Sequence, residues 1–509
     1  MGRCRADIVS TSKDRRDCPV AGKQIAAAEC AESRHSRYAC PEDCPHNTFS
    51  PANYVRLLQL IHKCNQLMFD WLVSYPVIAD QLSREFRALQ RAGNPDKAEL
   101  VMMDWSYLRK DAGGRTALER LRDAGFPRMK NDHRMVHQFR SGLRPRLLEI
   151  RQIVDDRQMV AVDLLDPEAR EILVFDRILA SHTPRFATWL GYGSEMPHFT
   201  VLHGSLIEVR PIHDRGPREV LEIVLAHLGC PESEDERRRW FVTGLQKVRE
   251  SLEATHRVRH QMGIRAMDAR AYQSVYCHDL DVDTFADLLD AHPHLVECDH
   301  APTEPECEDY EMVWDWLEPA SQGKDVVELV GRLFVGPGRC RLDAIGEARI
   351  AMLKQGFEKL VGTRVTWESE EVMDMASRMS SDLSPGMEGK EVPLLLENPP
   401  RFGTAPLRIS RGSQPAGGDD RDVRKVLLRA WLNASVPALD DKTPREAAHD
   451  PALRPRLVEL VKEQVRDFDR ANLNEGITGD MNWALRDLGL DEWIYPPPPP
   501  RPRPADEED

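Results

Sequence analysis

The sequence predicts an α+β protein of several units, helical at its ends and mixed at its centre, on three observations. At 509 residues it is longer than one ordinary hydrophobic core accommodates. Apolar residues fall at helical spacing toward both ends and in short alternating or continuous runs between them. Five of the eleven cysteines crowd into the first 44 residues, a pattern that suggests metal rather than disulfides in a reducing compartment.

Residues 1–50 are rich in Cys, Pro and small polar residues and too poor in aliphatics to build a core, so they need another staple. Cys18, Cys30, Cys40 and Cys44 have the spacing Cys-x11-Cys-x9-Cys-x3-Cys, with His35 and His46 near enough to replace one of them. Four thiolates suit tetrahedral zinc, and a site filled entirely by protein ligands is structural, with no place for a catalytic water. The leader is therefore expected to be a zinc-binding element that loses its order when the metal is removed.

Residues 51–153 read as a helical domain. Tyr54, Leu57, Leu58, Ile61, Met68, Trp71 and Leu72 form its first amphipathic run, Gly93 to Pro95 break it, and Leu147, Leu148, Ile150 and Ile153 are expected to close its last helix. Residues 154–215 change to short runs, 159–165, 171–178, 186–190 and 199–209, which predict a small antiparallel sheet or barrel. Helices return over 216–275, where Val220, Ile223, Val224 and Leu228 share a face.

Residues 276–323 form an acidic segment. From 275 to 323 there are fourteen Asp or Glu and not one Lys or Arg, a composition that predicts a repulsive linker or a docking face for a basic partner. His292, His294, Cys298, His300 and Cys307 lie within it as a weaker candidate for a second metal. Residues 324–377 then predict a β-β-α-β unit with a hairpin around Gly336-Pro337-Gly338, and 378–419, rich in Ser, Gly and Pro, predict a linker.

Residues 420–492 predict a helical unit. Thr443-Pro444-Arg445-Glu446 is a capping box with proline at the first helical position, and Leu457, Leu460, Val461, Val465 and Phe468 mark the buried side of a following helix. Five prolines and RPRPADEED make 493–509 an extended tail.

The net charge of -15 and the lack of a basic run disfavour nucleic acid. No window approaches the length of an apolar membrane span, and the first residues hold no signal-peptide core, so a soluble, cytoplasmic protein is expected. The chain contains no GxxxxGK[ST], GxSxG or HExxH, nor a GxGxxG following a strand. Cys277 and the His278-Asp279 pair could be written as nucleophile and base, but neighbours on a strand point to opposite faces.

The stretch LLRAWLNASVPALDDKTPREAA, residues 427–448, resembles the toxin-binding domain of Xre/MbcA/ParS-type bacterial antitoxins. In that domain a helix ending in Trp-Leu precedes a Pro-x-Leu loop and a helix opened by Thr-Pro, here Trp431, Leu432, Pro437, Leu439, Thr443 and Pro444. The leader text over 29–54 is similar to that of large bacterial proteins carrying the same C-terminal segment. The resemblance implies a partner-binding module and a toxin-like protein partner. The antitoxins also carry a DNA-binding helix-turn-helix, and no basic recognition helix is evident in this chain.

The reading that follows is a non-enzymatic, zinc-stabilised interaction or regulatory protein with no catalytic residues. A zinc-dependent regulator associated with nucleic acid and an enzyme acting through a pocket in the β-rich centre are the alternatives.

Overall fold

The computed structural model describes residues 15–91, 98–212, 215–266, 270–298, 309–319, 327–374, 428–429, 431–475 and 479–499. It confirms a mixed α+β chain, and no helix among these residues is long and apolar enough to cross a membrane.

The leader is a hairpin, β1 (Arg15–Cys18) and β2 (Lys23–Ala26), followed by α1 (Ala27–Ser33). A helical layer follows: α2 (Tyr54–Val73), α3 (Pro76–Arg91), α4 (Ala98–Met103), one π-helical turn over Asp104–Leu108, α5 (Ala117–Asp123) and α6 (Asn131–Arg140). α5 starts where Thr116 and Glu119 close a capping box.

The chain then enters a closed five-stranded barrel: β3 (Arg144–Ile153), β4 (Gln158–Asp163), β5 (Glu171–Phe175), a short α7 (Arg177–His182), β6 (Thr188–Glu195) and β7 (Thr200–Glu208). Its order is β3-β4-β5-β7-β6, with β3 also paired to β6 and only β5 and β7 parallel, the connectivity of an OB-type barrel. Leu148, Ile150, Met159, Ala161 and Val174 fill its own core. Leu147, Leu190, Tyr192 and Ile207 instead pack into the core shared with the helical layer and with α8 (Pro217–His227) and α9 (Glu234–Ala266).

The expected last helix over Leu147 to Ile153 is therefore strand β3, and the helical layer ends at Arg140. A strand covered on both faces shows no apolar alternation, and in β3 the charged Arg146, Glu149 and Arg151 are buried alongside Leu147, Leu148 and Ile150.

A second sheet comprises β8 (Arg270–His278), α10 (Val282–Asp290), β9 (Leu295–Glu297), β10 (Met312–Pro319), β11 (Val327–Gly336), β12 (Arg339–Ile345), α11 (Glu347–Val361) and β13 (Val365–Asp374). Its order is β13-β8-β12-β11-β10-β9, all antiparallel, and a core of Trp314, Leu333, Leu342, Phe285 and Phe357 joins it to its two helices. The β-β-α-β unit stands as expected, turning at Pro337-Gly338 with Gly338 at φ 75, the φ that the third position of a type II turn requires.

The acidic segment, expected as a linker or docking face, supplies α10, β9 and β10 to this sheet. Its carboxylates have local work. Asp281 caps α10 by accepting the Thr284 N–H at 2.9 Å, Asp290 accepts the Trp314 indole N–H at 2.9 Å, and Asp315 pairs with Arg332 at 2.9 Å. The expected linker over 378–419 lies outside the described residues.

The C-terminal unit contains a 3-10 turn over Pro437–Leu439, α12 (Pro444–Ala448), α13 (Arg454–Glu475) and α14 (Asn482–Asp487). The capping box is formed as read: Thr443 Oγ1 accepts the Glu446 N–H at 3.2 Å, and the Glu446 carboxylate accepts the Thr443 N–H at 2.8 Å. The start of the predicted tail is not free, since Trp493, Ile494 and Tyr495 pack against the unit's core.

Candidate functional site

Among the described residues the leader and the C-terminal unit both contact the barrel, and the contact with the C-terminal unit buries an ion pair completely. Between α7 and β6 the chain bends through Phe186 at φ 60, a conformation that costs a bulky residue roughly 1–3 kcal/mol and persists only where the surroundings enforce it. Here they do. The Phe186 side chain enters the core of the C-terminal unit with Leu432, Leu457, Val461 and Leu485, and its N–H donates to the Ile150 carbonyl at 2.6 Å.

The same bend aims Arg185 at α13. Its Nε and Nη2 donate to the two oxygens of Asp469 at 2.7 and 2.8 Å, while Nη1 donates to Asn482 Oδ1 at 3.1 Å and to the Tyr495 carbonyl at 2.7 Å. Both members of the ion pair have 0% exposure. A bidentate fork satisfied on every side is the geometry in which a buried pair recovers its desolvation cost.

Around it, Lys462 donates to Glu149 at 3.1 Å and stands 3.9 Å from the centre of the Trp493 ring. Arg466 donates to the Phe186 carbonyl at 2.9 Å, and Arg470 donates to Glu208 at 2.7 Å. Burial pushes the Glu208 carboxyl up, but Arg210, Arg470 and Arg466 outweigh it and hold the group below its ordinary range.

The sequence-predicted partner residues build this unit from within. Trp431, Leu432 and Leu439 lie in its core, Thr443 caps α12, and Pro444 is buried at the first position of that helix. Pro437 contributes its backbone to the 3-10 turn.

In the leader, Cys30, Cys40 and Cys44 are buried and Cys18 is half-buried. All are free thiols. Cys18 Sγ accepts the Ala21 N–H at 3.4 Å, and Cys30 Sγ is approached by Arg16 at 3.7 Å and Arg34 at 4.0 Å. Burial pushes the Cys40 thiol up, and neighbouring Cys44 and Cys30 add to the shift. Among the described residues no group of three or more His, Cys, Asp or Glu is placed to hold a metal ion.

A polar network ties the leader to the helical layer and the barrel. Buried Arg34 pairs with Asp132 of α6 and donates to Thr48 Oγ1 at 2.8 Å, while Asn131 donates to the carbonyls of Ala31 and Arg34 at 3.1 and 2.9 Å. Asn47 Oδ1 lies 2.9 Å from His35 Nε2, and His198, beyond β6, lies 3.0 Å from the Cys40 carbonyl. Fully buried Phe49 anchors the leader to Tyr54 and Leu57. His46 is half-buried.

The weaker candidates also have structural work. His294 Nδ1 is 2.8 Å from the Leu317 carbonyl, and the His292 ring packs 4.9 Å from Trp316. His300 and Cys307 lie outside the described residues. His278 reaches the carbonyls of Leu280 and Gly336, whereas Cys277 turns to Glu368.

One constellation escaped the sequence reading. Ser194 Oγ on β6 lies 3.0 Å from His203 Nε2 on β7, and His203 Nδ1 lies 3.5 Å from Glu99 of α4, the connectivity of nucleophile, base and orienting carboxylate. Burial holds His203 below its ordinary range. For Glu99 burial acts upward, but His203, Arg140 and the Gly204 N–H together bring its carboxyl below the usual value. Ser194 has 0% exposure. A nucleophile must meet its substrate, and this hydroxyl has no surface on which to do so, so the chain of bonds acts as a tie from α4 to the barrel.

Comparison with protein-family models, with curated proteins and with solved structures finds no match to this chain.

Arg185 and Asp469, the centre of the dock, were missed because they stand 284 positions apart and neither has a local motif. A usable signal did exist on α13. Lys462, Arg466 and Arg470 recur at i, i+4 and i+8, and a stripe of cations on a helix that also carries a full apolar stripe marks a second packed face.

Proposed function

We propose that this chain is a non-enzymatic interaction protein in which the C-terminal helical unit binds a protein partner and the barrel holds that unit in place. The observation that carries the reading is the division of labour in the dock. The unit closes a core from its own residues, with Phe186 as the one barrel side chain among the described members of that core. Ion pairs, hydrogen bonds and cation-to-ring contacts join the described residues of the unit to the barrel. A unit with its own core, joined to its neighbour through polar contacts, has the anatomy of a domain that can move relative to the rest. The resemblance of residues 427–448 to a toxin-binding domain points the same way.

Photo-crosslinking tests this. A photoreactive residue placed at exposed Arg429 or Asn433 is expected to give one discrete protein adduct in cells, and the same residue at exposed Met352 on α11 is expected to give none. Equal labelling from all three positions, or turnover of a metabolite panel by the purified chain at ordinary enzyme rates, would reject the reading.

Zinc in the leader belongs to the proposal on donor chemistry and spacing: reduced, buried thiols at Cys30, Cys40 and Cys44, with Cys18 beside them in sequence. Elemental analysis of purified protein is expected to give one zinc per chain, lost from the Cys40→Ala/Cys44→Ala double variant. Protein that is free of zinc with its leader still resistant to protease would leave the Arg34 and Asn47 network as the sole staple.

A further inference from the structure

The face of α13 turned toward the barrel carries a charge pattern, and the barrel answers it position by position. Lys462, Arg466, Asp469 and Arg470 stand at i, i+4, i+7 and i+8, so they share one side of the helix. Along the axis Lys462 and Arg470 are about 12 Å apart at 1.5 Å per residue. Opposite them on the barrel are Glu149 for Lys462, Arg185 for Asp469 and Glu208 for Arg470, with the Phe186 carbonyl for Arg466. Another face of the same helix, Leu457, Val461 and Val465, closes the unit's own core, in which Phe186 is the one side chain from the barrel side among the described members.

We infer that this side of α13 is the partner-binding surface of the C-terminal unit, that the barrel covers it in the free chain as an intramolecular competitor, and that the partner is an acidic protein surface in which two carboxylates flank an arginine. The inference rests on the proposed function and adds to it where the partner binds and what chemistry it presents.

The requirement for an arginine follows from Asp469. Three cations on the stripe would accept many polyanions, but any occupant that buries the stripe also buries Asp469, and a carboxylate taken out of water without a donor fork is strongly disfavoured. Arg185 supplies that fork in the free chain. A nucleic acid could neutralise Lys462, Arg466 and Arg470 but would set phosphates against Asp469, whereas a protein can place an arginine among its carboxylates. In sequence, residues 375–427 separate β13 from the described start of the C-terminal unit at Leu428.

Because the partner and the barrel compete for one surface, weakening the barrel's side of the contact should strengthen binding in trans. The full chain carrying Glu149→Gln and Glu208→Gln leaves α13 intact and removes two of the barrel's carboxylates. The probe is a fluorescent synthetic helical peptide with Glu, Arg and Glu at i, i+7 and i+8, the spacing of Lys462, Asp469 and Arg470, read by anisotropy beside a peptide of reversed charges and a single-stranded oligonucleotide. The opened chain is expected to bind the Glu-Arg-Glu peptide at least ten-fold more tightly than the unaltered chain, with affinity falling as salt rises. Adding Lys462→Glu and Arg470→Glu is expected to abolish the gain. Should the double variant fail to fold, Glu208→Gln alone, at the rim of the contact, is expected to give a smaller gain of about three-fold in the same assay.

Equal binding by opened and unaltered chains, or equal binding of the charge-reversed peptide, would overturn the inference, and tighter binding of the oligonucleotide would overturn it in favour of nucleic acid. A crosslinked partner at Arg429 whose yield is indifferent to Lys462→Glu and Arg470→Glu would leave the proposed function standing and remove this surface from it.

Discussion

Replacing Arg185 by alanine is expected to destabilise the docked C-terminal unit by about 3–5 kcal/mol, the cost of leaving a buried carboxylate without its partner. Asp469 has no exposed surface to fall back on, and in the same step Asn482 Oδ1 loses its Arg185 donor and the Tyr495 carbonyl loses one of two, keeping Asn482 Nδ2. The unit should then separate from the barrel before the barrel itself unfolds, because Leu148, Ile150, Met159 and Val174 form a core that does not include it. Denaturant unfolding followed by two probes, Trp493 fluorescence for the dock and far-ultraviolet circular dichroism for the whole, should resolve an early transition that the unaltered chain lacks. Coincident transitions shifted by less than about 1 kcal/mol would show that Arg185 and Asp469 are not what holds the unit.

The pair has a second, sharper signature. Replacing both members with apolar residues, Arg185→Met with Asp469→Leu, removes the unpaired charge along with the bond and is expected to cost far less than either single change. A dock whose purpose is tight holding would gain from that exchange. Retaining an ion pair where hydrophobic packing would hold as firmly fits a contact that has to open, since charges separated into water recover their hydration and apolar surfaces do not.

Those long-range pairs are also the part of the molecule that the sequence conceals. Thr443 to Glu446 were legible because a capping box is complete within four residues, and so was the turn at Pro337-Gly338, whose φ values are local properties. The run from Tyr54 to Leu72 was legible because one side of α2 meets the core and the other meets water. Strand β3 was not, because it is covered on both faces and carries buried Arg146 and Glu149, charges that ordinarily mark a solvated face. The acidic segment misled for the related reason that composition counts charges without saying what they cap: Asp281, Asp290 and Asp315 each close a specific bond. In the leader, the tie that the sequence conceals is Arg34 reaching Asp132 across 98 positions, a separation at which sequence spacing carries no information.

Acid should loosen the packing of the helical layer on the barrel in a way that can be assigned to one histidine. His137 of α6 is fully buried, with Nδ1 2.8 Å from the Tyr107 hydroxyl, and burial, aided by nearby Arg140 and His133, lowers it to about 3. Unfolded, the same imidazole titrates near 6.5. Below that pH the unfolded chain takes up a proton that the folded chain refuses, so stability present at neutral pH is lost progressively as pH falls from about 6.5 toward about 3. At about 1.4 kcal/mol per pH unit, His137 alone accounts for a loss of about 2 kcal/mol by pH 5. His35, His133 and His203 are lowered chiefly by burial and act in the same sense. The carboxyls of Asp104, Asp163 and Asp176, raised by burial, act in the opposite sense in the range just above their ordinary value of 3.8, so the histidine effect is cleanest between pH 6.5 and 5. Urea unfolding across that range should show stability falling with acid, and His137→Gln, which keeps a polar group for Tyr107 but cannot titrate, should flatten the slope by about 1.4 kcal/mol per pH unit. An unchanged slope in the variant would mean that His137 takes up its proton in the folded chain, and with it that the contact between α6 and the π-helical turn opens well before the protein unfolds.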